Sequence, residues 1–85
     1  MELTQVQDYA IQARVAAIIG ARVFDCVFAG VRFAETDGPL LYAYSRDEES
    51  AAEIEDDFSL LIADAASLIL KHEVEIVVVL PKVLQ

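Results

Sequence analysis

One stretch constrains this chain more than any other. From Ser45 to His72 no glycine or proline interrupts the sequence; its first third is acidic and the remainder is almost wholly apolar. That pattern predicts one long helix. Ser45 precedes Glu48 by three residues, the spacing of a capping box. Asp47, Glu48, Glu49, Glu53, Glu55, Asp56 and Asp57 crowd the first turns, where the helix macrodipole favours negative charge. At about 100° per residue, Ile54, Phe58, Leu61, Ile62, Ala65, Leu68, Ile69 and His72 share one face and form the expected core stripe. Ser59, Ala63, Ala66, Ser67 and Leu70 fall roughly opposite, with Leu60 beside them. A helix with one buried side does not need this second face. Its small residues would let another backbone come close, and they form the expected oligomer interface.

Composition points the same way. Hydrophobic residues make up 56% of 85 residues, above the roughly 45–50% of ordinary globular chains. A domain this small has little interior to hide them, so the excess is expected between subunits. The same figure excludes a disordered chain.

The net charge is −9: −7 over residues 47–71, against −1 over 1–46 and −1 over 72–85. Such a field repels nucleic acid and anionic membrane and attracts basic partners. Glu49, Glu53, Asp56 and Asp57 are the expected partner-facing residues. Glu49, Glu53 and Asp57 could share a helix face, yet the stretch lacks an Asp-x-Asp-x-Asp-Gly loop and a Glu-x-x-His pair, so no metal or other cofactor is expected.

The single cysteine, Cys26, excludes a disulfide framework. The first residues carry neither the basic region nor the apolar core of a signal peptide, and no uncharged run approaches the roughly 20 residues of a membrane helix. A cytoplasmic protein is expected.

Taken in order, Thr4 to Ile19 reads as a first helix. Thr4 with Gln7 makes a capping box, and Gly20 suits the stop. Val6, Ala10, Ala13 and Ala17 line one side, and Ile11, Val15 and Ile18 the other. Gln5, Gln7, Asp8, Gln12 and Arg14 are its expected solvent residues. Arg22 to Ala34 is rich in β-branched and aromatic residues on both alternate sets, which predicts a central strand covered on both faces, with Gly30 marking a bulge or close contact. Residues 35–39 carry Asp37-Gly38 as a turn signal, and Leu40 to Tyr44 is the partner strand of a hairpin, with Tyr42 and Tyr44 on one face. Val74 to Leu80 holds a continuous apolar run suited to an interior strand, and Pro81 ends it or leaves it at an edge. Val83 and Leu84 are expected to dock.

The prediction is therefore a single α+β domain over 1–85: a two-layer sandwich in the order α-β-β-α-β, with a small, mainly antiparallel sheet and two helices on one face. Over about the first 70 residues the helix, the strand into Asp37-Gly38, the return strand and the alanine-rich helix resemble Roadblock-type dimerisation modules in element order. The later strands and final helix of that family have no counterpart.

Chemistry is sparse. His72 is the only histidine and falls where a helix end would suit a cationic imidazole. Cys26 sits within the expected strand, as a small core residue does. Three separated glycines make no phosphate loop, and scattered arginines make no basic stripe. The leading expectation is a non-enzymatic, homo-oligomeric interaction module, of adaptor, inhibitor or immunity type. The competing one is a small oligomeric enzyme or ligand-binding protein whose site forms between subunits from His72, Tyr42, Tyr44, Arg32 or Arg46.

Overall fold

A computed structural model describes residues 1–82. The elements run α1 (Gln5–Ile19), α2 (Ala21–Val27), β1 (Arg32–Asp37), β2 (Leu40–Ser45), α3 (Glu48–Leu70) and β3 (Ile76–Pro81). The character is α+β, and the order is the expected one with an extra helix. The docking expected of Val83 and Leu84 lies outside the described residues.

The Thr4–Gln7 box starts α1: the Thr4 hydroxyl accepts from Gln7 N at 3.1 Å, and Gln7 Oε1 accepts from Thr4 N at 2.9 Å. Gly20, at φ +91, then turns the chain.

Beyond Gly20 the fold departs from expectation. The first half of the expected central strand is α2. Residues 23, 24, 27 and 28 are apolar at helical as well as strand spacing, so tertiary packing decides. Phe24 stacks on Phe28 one turn later, with ring centroids 5.1 Å apart, and Phe28 meets Phe58 of α3 edge-on at 5.4 Å. A strand would place residues four apart too far from one another for that pair. Cys26 is accordingly an exposed helix residue, not a strand core residue. Gly30 occupies the turn before β1 at φ +81. The irregularity in the β1–β2 register lies instead between Phe33 and Glu35.

The long helix begins three residues later than expected. Asp47 caps it, its carboxylate accepting from Ser50 N at 2.8 Å. Ser45 is the last residue of β2, fully buried, and its hydroxyl donates to Asp47 O at 2.8 Å.

The sheet is mixed, in order β1-β2-β3. β1 and β2 pair antiparallel, but β2 and β3 pair parallel, from Leu40 opposite Ile76 to Ser45 opposite Pro81. The mainly antiparallel sheet with an interior third strand is thus corrected: β2 is the central strand and β3 an outer one. The cause is local. The N-terminal residues occupy the outer edge of β1, where Leu3 N donates to Ala34 O and Thr36 N to Met1 O, at 2.9 and 2.8 Å. The edge left for β3 is that of β2. A 23-residue helix supplies the long crossover that a parallel pair requires.

The core gathers Ile11 and Val15 of α1, Phe28, Phe33, Leu41, and Ile54 and Ile62 of α3, all at most 1% exposed. Along β2 the buried set is Leu41, Ala43 and Ser45; along β3 it is Val77 and Val79.

Candidate functional site

Much of both apolar faces of the long helix is covered within one chain. α3 touches β2, β3, α1 and α2, so it is packed from more than one side. Ala63 and Ala66 are buried there, and Ser59, Ser67 and Leu70 are half-buried. Ser67 is fixed by chemistry as well as packing: its hydroxyl donates to Ala63 O at 2.7 Å and accepts from Val74 N at 2.9 Å, which ties the end of α3 to the chain entering β3. Leu60 and Leu68 point outward instead, 82% and 58% exposed; for Leu68 this departs from the expected core stripe.

Glu49, Glu53, Asp56 and Asp57 are exposed on the first half of α3. Among the described residues no three of His, Cys, Asp and Glu converge as a metal cradle would require. Asp47 is exposed like them but is held by hydrogen bonds. The Ser50 backbone N–H, and to a smaller degree the Ser50 side chain and Arg46, hold its carboxyl below the usual aspartate range. His72 lies beyond the end of α3, exposed, its ring Nδ1 3.3 Å from Glu73 O. It is not brought together with Cys26 or an arginine by any contact among the described residues.

The unexpected polar element is Asp8. It is only 8% exposed, and its carboxylate accepts from Phe33 N at 2.8 Å and from Gln12 Nε2 at 2.9 Å. Gln12 also donates to Val31 O at 3.0 Å. Asp8 therefore pins α1 to β1 beside the register irregularity. The expectation of a solvent residue fails here because nothing local distinguishes a buried helix-start aspartate from an exposed one.

The sheet supplies a grouping of apolar residues that no core position claims. Strand alternation and the register place Leu40, Tyr42 and Tyr44 of β2 opposite Ile76, Val78 and Leu80 of β3 on the side away from the buried set. Ile76 and Leu80 are 53% and 40% exposed; the other four are half-buried. On β1 the same register aligns Arg32 with Tyr44, Glu35 with Tyr42 and Asp37 with Leu40.

No protein-family model matches the chain, and no curated protein matches it.

At one end of this sheet Gly30, Arg32, Tyr44 and Lys82 line a cleft of about 310 Å³. A second cleft of about 330 Å³ lies at the start of α1, among Leu3, Thr4, Asp8, Tyr9, Arg32 and Phe33. Arg32 borders both. Tyr44 and Arg32 are candidates the sequence already offers; Lys82, read there as tail, joins them only through the parallel pairing of β2 and β3. No helix among the described residues is long and apolar enough to cross a membrane.

Proposed function

We propose that this is a small acidic, non-enzymatic interaction module that works as a homodimer in the cytoplasm, with the apolar side of its sheet as the contact between copies. In this reading the domain is a two-layer sandwich. Helices cover the side bearing Leu41, Ala43, Val77 and Val79, and the side bearing Tyr42, Tyr44, Ile76 and Val78 awaits a second copy. The observation that carries the proposal is that last grouping: six apolar or aromatic residues in three cross-strand pairs, partly open to water. Tyrosines and aliphatic residues of this kind suit the centre of an interface.

A second copy is favoured over an unrelated partner by the charges on β1. Arg32 stands at its start and Asp37 at its end, on the same side as the tyrosines. Two such sheets related by a twofold axis can set each arginine against the other copy's acids, as an isologous contact requires.

Size sets the strength. Three strands about 4.8 Å apart and six residues long at about 3.3 Å each give a flat footprint of roughly 290 Å². A stable interface takes about 800 Å² from each partner. Even allowing for corrugation, the face supports a reversible dimer rather than an obligate one. The exposed acids Glu49, Glu53, Asp56 and Asp57 would remain on the outside of such a dimer and attract a basic protein surface. The free, exposed thiol of Cys26 suits a reducing compartment.

The test is solution mass by light scattering across a wide concentration series. A mass rising from monomer to dimer is expected for the natural chain, and Val78→Asp should hold it at monomer while circular dichroism stays unchanged. A natural chain that remains monomeric at the highest concentrations refutes the reading.

A further inference from the structure

The cleft at the end of the sheet stands apart in charge from the rest of the molecule. The chain has fifteen acids and six lysines and arginines. Two of those six, Arg32 and Lys82, line this one cleft, and no carboxylate is among its described lining residues. Neither side chain makes a hydrogen bond or ion pair among the described residues, where Arg46 pairs with Asp47 at 3.6 Å. A charged head bordering a cavity, with no partner among the described residues, is available to a ligand.

The remaining lining fits the same use. Tyr44 adds a phenol, which can donate a hydrogen bond and offer a ring face. Gly30 brings backbone to the rim at φ +81, a conformation that side chains rarely adopt. Position fits too: Tyr44 is near the end of β2 and Lys82 follows β3, so the cleft lies at the carboxyl ends of the parallel pair, where open sheets present crevices to ligands. Its volume, about 310 Å³, is at the lower end of the range for small-molecule sites.

We propose that this cleft binds a small organic oxyanion carrying two negative charges, a phosphate monoester or a dicarboxylate. The inference does not rest on the proposed dimer and competes with it at this end of the sheet: Arg32 and Tyr44 would serve either the second copy or the ligand, so binding should oppose self-association. Arginine grips such groups through a planar two-point fork and lysine as a point charge, and two cations balance two charges. The long-range field selects on size. A net charge of −9 repels an extended polyanion along its whole length. A compact dianion inside the cleft is screened from charges beyond about 8 Å at physiological salt.

The experiment is a titration of the full chain with phenyl phosphate, and separately with malonate, at matched ionic strength, followed by backbone amide NMR. Saturable shifts centred on Gly30, Arg32, Tyr44 and Lys82 are expected with one or both probes, and the probe that saturates at lower concentration identifies the favoured headgroup. Arg32→Gln and Lys82→Gln should each weaken binding at least about tenfold, as loss of a charge-assisted contact does. Arg14→Gln makes the same change of charge on an exposed face of α1, outside the cleft, and should leave binding unchanged. Absence of saturation with both probes overturns the proposal, and so does an equal weakening by Arg14→Gln. Because the readout is local, a chain that proves monomeric leaves this test intact.

Discussion

Replacing Asp8 by alanine tests the link between α1 and the sheet. The carboxylate is 8% exposed and accepts two hydrogen bonds, from Phe33 N at 2.8 Å and Gln12 Nε2 at 2.9 Å. Alanine removes both. Gln12 keeps its bond to Val31 O, so its loss is partial. Phe33 N is in a different position: it is buried, and Asp8 is the partner that satisfies it. A buried donor left without a partner costs about 1–3 kcal/mol, and a hydrogen bond to a charged group contributes about 1.5–3 kcal/mol. These ranges describe overlapping effects, so their sum overcounts. The expected loss for Asp8→Ala is about 2–4 kcal/mol. Asp8→Asn keeps an acceptor oxygen in place and should lose only about half as much. Urea unfolding at neutral pH reads both variants. In a chain of this size about 1 kcal/mol moves the thermal midpoint by roughly 4–8 °C, so the alanine variant should melt at least about 8 °C lower. If Asp8→Ala stays within about 0.5 kcal/mol of the natural chain, the range of an ordinary surface substitution, the clamp is not a determinant of stability and the reasoning is refuted.

The Ser67 hydroxyl joins the end of α3 to Val74 in the same manner. Ser67→Ala should cost about 1–3 kcal/mol by urea unfolding, because it orphans Val74 N, and backbone amide exchange at Val74 should quicken selectively. Asp47 governs an acid response. Its carboxyl lies below the usual aspartate range in the folded chain, chiefly through the Ser50 backbone N–H. Its contribution is therefore complete above that range and is lost as pH falls through the depressed folded value. Stability measured between neutral and strongly acid pH should fall less steeply for Asp47→Asn than for the natural chain; identical slopes would count against the cap.

Much of the secondary structure was legible in local sequence. Thr4 and Gln7 announce the start of α1 because the capping box is built from side chains three residues apart in a single turn. Asp37-Gly38 marks the hairpin because few other dipeptides accept its backbone. The acids of α3 mark its first turns because the dipole acts locally. Where local signals were ambiguous they misled: Val23, Phe24, Val27 and Phe28 satisfy both a strand and a helix period, and only the stack of Phe24, Phe28 and Phe58 resolves them.

The candidate sites were less legible still. Tyr42 and Tyr44 share a face by strand alternation alone, so their grouping could be read in advance. Arg32 and Lys82 are fifty residues apart, and nothing in either neighbourhood predicts that they border one cleft. That depends on β3 lying parallel beside β2, which follows from the N-terminal residues having taken the outer edge of β1. Likewise, two apolar faces on α3 require that both be covered, but periodicity does not say by what. Local sequence determined the start and stop of α1, the hairpin and the placement of charge, because caps, turns and dipoles act over a few residues. Strand order, the burial of Asp8 and the meeting of Arg32 with Lys82 were decided by tertiary structure, because each depends on which of several competing long-range contacts fills a vacant edge or face.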